Sequence, residues 1–165
     1  MEVIGFSKCR FNTIDDLIRW MHQYQKKQGI KNKCLSNSMF VTEVAKAYIG
    51  GDIKLVRGWL VKATLHHYDI LPHAWVTMYD IIVEPSEEWQ HARENGYRYC
   101  NTVQEMKITM LQSMNRNFFY DNRTQKDIKK AVYWGIQWQY DTYSENRKDD
   151  KLIQYYESQC FMFEI

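Results

Sequence analysis

Apolar positions first fall into a helical rhythm at Ile14, Leu17, Ile18, Met21 and Tyr24, which share one face of a helix. Thr13 stands where a side-chain cap is needed, Asp15 and Asp16 occupy the positive end, and Lys26, Lys27 and Gly29 close the segment. A second helix is expected from about Lys33 to Ile49. Leu35, Met39, Ala45, Tyr48 and Ile49 mark its buried face, Asn32 is its cap, and Gly50-Gly51 supplies the stop. The rhythm then changes. IKLVRGWLVKA carries the β-branched and aromatic content of a strand, with Gly58 marking a bulge or a close backbone approach. After a loop around His66, His67 and Pro72, HAWVTM and IIVE read as two strands joined at Tyr79-Asp80.

Helical spacing returns beyond Pro85. Ser86, Glu87 and Glu88 open a short helix ending near Gly96. Thr102 and Glu105 have capping-box spacing ahead of Val103, Met106, Ile108, Met110, Leu111 and Met114. Thr124 and Asp127 open a longer helix with Ile128, Val132, Tyr133, Ile136 and Trp138 on its apolar sides. Residues 149–157 suggest a further helix, and CFMFEI a final strand. Residues 2–8, with Val3, Ile4 and Phe6, are too short to separate a strand from a packed arm. The expected class is α+β, a nucleophile-bearing helix on a small antiparallel sheet with a helical C-terminal half.

Composition narrows this picture. At 165 residues and 45% hydrophobic, the chain fits a single domain over residues 1–165, with residues 28–88 as its core and residues 89–165 as a mainly helical elaboration. No repeat period or linker-like run interrupts it. Twelve Tyr and six Trp make much of the interior aromatic, so hydroxyl and indole groups need partners there. A net charge of +2, with Lys126, Lys129 and Lys130 beside Asp127, describes a wet helix face and gives nucleic-acid binding no support. Cys9, Cys34, Cys100 and Cys160 form no C-x-x-C pair. With no apolar run of export or membrane-spanning length, they read as free thiols of a soluble cytoplasmic protein, with no cofactor and no membrane partner.

Within this frame three residues carry candidate chemistry. Cys34 falls in the first turn of the second helix, where unpaired N–H groups and the helix dipole favour a thiolate, and Lys33 adds positive charge. For a single cysteine the plainer reading is a small buried hydrophobe. His73 begins a strand, and by parity shares a face with Trp75 and Thr77; alone it reads as a hydrogen-bonded core histidine. A turn at Tyr79-Asp80, or within a residue of it, sets His73 opposite Glu84, with Cβ atoms within roughly 5.5 Å, so that the carboxylate holds the imidazole as the third member of a triad does. Asp80 is the alternative acid, better suited to the turn itself. Gln28, just ahead of the nucleophile helix, joins the Cys34 N–H as a candidate oxyanion donor.

Gln28-Gly29 followed after four residues by Cys34 resembles the papain-type pairing of oxyanion glutamine and nucleophile. The wider layout resembles the small proteins of the papain-like and transglutaminase-like superfamily, many from phages, viruses and bacteria. They show a Cys-x-x-Asn-Ser/Ala helix, a strand with a Gly-aromatic pair, then His-Ala-Trp and an acid-Pro-Ser/Thr. Here those parts are CLSNS, RGWL, HAWV and EPS, covering residues 28–88. Two positions depart from that pattern: Glu84 stands where Asp or Asn is more usual, and no glycine occupies the hairpin turn. The resemblance implies a papain-like architecture and a thiol hydrolase or acyl transferase acting on an amide or peptide-type bond of a protein or peptide substrate. In a virus or phage its place is the host cytoplasm.

Two other classes compete. A non-catalytic module binding a host protein would keep the frame as scaffold and present Tyr133, Trp134, Trp138, Tyr140 and Tyr143 as anchors, although aromatic residues at helical spacing are more often core. Metal-dependent hydrolysis would draw on His66, His67, His73 and a carboxylate, a set whose adjacent histidines point apart on a strand.

Overall fold

The computed structural model describes residues 13–30, 34–113 and 116–139. Its class is α+β, with four α-helices and an antiparallel sheet of four strands among these residues. In chain order these are α1 (Ile14–Gln28), α2 (Cys34–Tyr48), β1 (Ile53–Ala63), β2 (Tyr68–Met78), β3 (Ile81–Val83), β4 (Arg98–Cys100), α3 (Val103–Leu111) and α4 (Asn122–Gln139). The strand order is β3-β2-β1-β4. The described residues fall into two compact units, one of 13–30, 34–55 and 75–88, the other of 56–74, 89–113 and 116–139. Among the described residues the second unit therefore draws on both sides of the boundary at residue 88 that the sequence suggested.

The first unit is built on α1 and α2. The Thr13 hydroxyl accepts from the Asp16 N–H at 3.2 Å and so caps α1, and Gly29, at φ 67°, ends it in the left-handed conformation that costs other residues most. Leu17, Ile18 and Met21 of α1 are buried with Phe40, Val41, Val44 and Ala45 of α2, Ile53 of β1 and Val76 of β2. Trp20 stacks on Tyr24 and on Phe40, with centroids 5.9 and 6.0 Å away. After α2 the chain turns at Gly50 and Gly51, both at positive φ, as the glycine pair predicted. The cap expected at Asn32 lies outside the described residues.

The second unit gathers Trp59, Val61, Tyr68, Cys100, Met106, Met110 and Ile128 into its own core. Tyr68 keeps its hydroxyl satisfied there by donating to the Met110 carbonyl at 3.1 Å. The capping signal ahead of α3 forms almost as read: the Thr102 hydroxyl accepts from Glu105 N–H at 3.1 Å, while the Glu105 carboxylate reaches one residue further back, to the Asn101 N–H at 2.7 Å.

Several elements differ from the sequence pattern. Strand β2 begins at Tyr68 and runs through Pro72, which the pattern assigns to a loop; Pro72 is exposed, and the loop shrinks to residues 64–67, closed by Thr64 N–H to the His67 carbonyl at 2.8 Å. The helix expected from Ser86 to Gly96 is a single 3₁₀ turn, Glu87–Trp89, followed by turns ending at Gly96 with φ 93°. The short strand β4 then pairs with β1, Trp59 opposite Cys100 and Val61 opposite Arg98; three residues are too few to display an alternation. Helix α4 starts at Asn122, two residues ahead of Thr124, because the Asp121 carboxylate accepts from the Arg123 N–H at 3.4 Å. Ile108, Tyr133 and Ile136, expected on buried faces, are exposed. The arm at residues 2–8, Met114, the Trp138 side chain, the helix at 149–157 and the strand CFMFEI lie outside the described residues.

The hairpin corrects the register. Met78 pairs with Ile81, Thr77 with Ile82 and Val76 with Val83, so Tyr79 and Asp80 form a two-residue turn, both at positive φ (51° and 62°). One step further along the ladder Glu84 falls opposite Trp75, so the sequence-derived pairing of Glu84 with His73 is displaced by two residues of β2. The cause is the centre of the turn: pairing His73 with Glu84 needs it between Met78 and Tyr79, and the ladder sets it one residue later, between Tyr79 and Asp80.

Candidate functional site

Cys34 opens α2 and keeps a partly accessible free thiol. The first turn of a helix presents N–H groups with no intrahelical partner, and Cys34 is the first residue of that turn. Below it the helix carries two buried polar residues in an otherwise apolar stretch. Asn37, 3% exposed, accepts at its Oδ1 from the Gln25 amide of α1 and donates from its Nδ2 to the Ser86 hydroxyl at 3.2 Å. Ser38 is fully buried, and its Oγ has no hydrogen-bond partner among the described residues. It lies four residues after Cys34, on the same face, and helical side chains lean toward the N-terminus.

Glu84 follows β3, half-buried, and its Oε2 accepts from the Ser86 N–H at 3.1 Å. The Pro85 carbonyl lies 2.6 Å from the Nε2 of His22 on α1, which must donate because a carbonyl only accepts. The Glu84-Pro85-Ser86 segment is thus held by α1 at its carbonyl and by α2 at its hydroxyl. Ser86 itself is fully buried.

His73 belongs to the second unit, near the middle of β2, and is 2% exposed. Its ring meets the edge of Trp89 with centroids 5.7 Å apart and lies 6.2 Å from Tyr99. Trp89 in turn meets Tyr97 edge-on at 5.2 Å. Lys62 sits over the Tyr97 ring and Arg93 over that of Tyr99, at 5.3 and 5.6 Å. Burial pushes the Tyr97 phenol above its ordinary pKa, and the Asp69 carboxylate beside it adds to the rise.

The other candidates are on the surface. Gln28 is the exposed last residue of α1, whereas Gln25, one turn earlier, reaches Asn37. Asp80 takes the turn position and, with an 86% exposed side chain, lies 3.9 Å from the Lys54 ammonium. His66 and His67 are exposed; His67 lies 3.0 Å from the Thr64 hydroxyl and 2.9 Å from the Asp69 carboxylate. Among the described residues no group of three or more His, Cys, Asp or Glu side chains is placed to hold a metal ion. Nor is any helix among them long and apolar enough to cross a membrane.

Sequence reasoning passed over Gln25 and His22, quoted Asn37 and Ser38 only as parts of CLSNS, and gave Ser86 only the opening of a short helix and a place in EPS. The available signal was Asn37-Ser38 inside the apolar run of α2, two polar residues where the helical pattern asks for apolar ones. No family model, no curated protein and no solved structure matches this chain.

Proposed function

We propose that the chain is a cysteine-dependent hydrolase or acyl transferase of papain-like type, with Cys34 as nucleophile, His73 as base and then acid, and Glu84 as the acid partner. The observation that carries this reading is Cys34 itself, an accessible thiol on the first residue of a 15-residue helix. Buried Ser38, one turn below on the same face and with no hydrogen-bond partner for its hydroxyl among the described residues, adds a polar group that an inert hydrophobic cysteine would not call for. In this mechanism the Cys34 thiolate adds to the carbonyl carbon of an amide, and the oxyanion takes hydrogen bonds from the Cys34 N–H and a side-chain amide, for which Gln28 is the candidate. His73 gives its proton to the leaving amine as the C–N bond breaks. It then takes one from the water or amine that releases the acyl group and restores the thiol.

The test is alkylation of Cys34 by iodoacetamide between pH 5 and 9, read by peptide mass. The expected result is a rate at pH 6 at least ~10-fold above that of an unstructured cysteine peptide, falling toward it in His73→Ala. A rate at pH 6 no higher than the peptide's would overturn the reading.

A second reading, a protein-binding module on the same scaffold, draws on Tyr133 and Trp134. These lie exposed on α4, 59% and 57%, with their rings edge-on at 5.5 Å. It predicts a biological effect that Cys34→Ala leaves intact and Trp134→Ala removes.

A further inference from the structure

We infer that Asn37 is a positioning residue for the proposed nucleophile, joining the turn that carries Cys34 to the segment that presents Glu84. The inference rests on the hydrolase reading above and extends it to a residue that touches no substrate.

Asn37 lies three residues after Cys34, on the same side of α2 and one turn along. An asparagine is a poor choice for a buried helical position, since its amide must be desolvated and its helix propensity is low. Leucine or methionine would serve packing better. What the amide supplies is direction: its oxygen is fixed by Gln25 and its nitrogen by the Ser86 hydroxyl, so neither its rotamer nor its flip is free. From Ser86 the path continues, because the Ser86 N–H holds the Glu84 carboxylate while His22 holds the intervening Pro85 carbonyl. A single side chain thereby couples α1, the nucleophile turn of α2 and the orientation of the acid. Fully satisfied buried networks of this kind set geometry more than they add stability.

The experiment is the pH profile of Cys34 alkylation in the full chain, with urea unfolding of each variant in parallel. Ser86→Ala removes one hydroxyl from a folded core, and Gln25→Met removes the amide donor at a half-buried site while keeping side-chain length. Both are expected to lower the rate at pH 6, by about tenfold and about threefold, and to leave the rate at pH 9 within about twofold, because at pH 9 the thiolate forms without help. Ser86→Thr, which keeps the hydroxyl, is expected to restore the pH 6 rate. A role confined to folding would move the urea midpoint and leave the profile in place; wild-type profiles in folded Ser86→Ala or Gln25→Met overturn the inference. The wild-type curve is read first. If it is that of an ordinary thiol, the hydrolase reading fails there and the positioning role falls with it. A reactive wild type with unresponsive variants removes the positioning role alone.

Discussion

Asn37 and Ser86, 49 positions apart in the chain, meet through a buried hydrogen bond of 3.2 Å. Ser86 is fully buried, so a hydroxyl that loses this donor has no water to turn to. Asn37→Ala is therefore expected to cost about 2–4 kcal/mol, from two lost hydrogen bonds and the desolvated groups left behind. Urea unfolding followed by tryptophan fluorescence measures it. A loss below about 1 kcal/mol would mean that the two partners find other bonds.

Ser38 has the opposite balance. Its Oγ is buried with no partner among the described residues, so the hydroxyl contributes its desolvation penalty and nothing in return. Ser38→Ala is expected to raise stability by about 1 kcal/mol, helped by the better helix propensity of alanine. The same change should slow Cys34 alkylation if the hydroxyl serves the thiolate. A stabilised variant with undiminished alkylation would leave Ser38 as a packing defect.

The hairpin bears a similar cost in its backbone. Tyr79 and Asp80 both hold positive φ, where glycine and asparagine are at ease. Asp80→Gly is expected to gain roughly 0.5 kcal/mol after the entropy of glycine is subtracted, since the 3.9 Å contact with Lys54 is exposed and weak. Gly51→Ala should lose more than that. Gly51 sits at φ 108°, and an added Cβ would lie 3.1 Å from the Tyr79 hydroxyl. Paired thermal melts of the two variants decide the sign of each.

Alkaline pH should weaken the second unit through Cys100 and Tyr97. Burial raises the Cys100 thiol above its ordinary pKa, and Tyr97 is raised by burial and then by Asp69. In both cases the folded state keeps its proton longer than the unfolded chain does. Stability is accordingly whole below the unfolded pKa, about 8.5 for the thiol and about 10 for the phenol, and is lost as pH rises from there through the folded values. Urea midpoints between pH 7 and 10.5 should fall, and Cys100→Ala should flatten the part that begins near 8.5. A midpoint constant to pH 10 would exclude this contribution.

These contrasts show which parts of the molecule a single sequence can display. Helix α1 was legible because its cap, its charges and its apolar face repeat one message from Thr13 to Gly29. The whole of β1 was legible because it is long and rich in β-branched residues. The strand β4 was not, since Arg98–Cys100 gains its identity only from Trp59, Leu60 and Val61 beside it. Among the candidate residues, the address of Cys34 on its helix came from the glycines and polar residues around it. Glu84 was misregistered because one residue in the turn decides every pair above it. The Gln25–Asn37–Ser86 path joins three separate segments, and no local pattern states a contact of that range.

Gly135 illustrates the limit in the other direction, since propensity alone predicts the wrong sign for its replacement. It lies inside α4, where alanine is worth about 1 kcal/mol more than glycine. A Cβ at that position would fall on the indole of Trp59, well inside contact distance. Trp59 cannot step aside, being fully buried and held by its Nε1–H donating to the Ala131 carbonyl one turn earlier on α4 at 3.1 Å. Gly135→Ala is therefore expected to destabilise by about 1–3 kcal/mol in spite of the propensity gain, and Gly135→Val by more. Loss of the Trp59–Ala131 bond should appear as faster exchange of the Trp59 indole proton. If the alanine variant melts higher than wild type, α4 and Trp59 do not pack as closely as described.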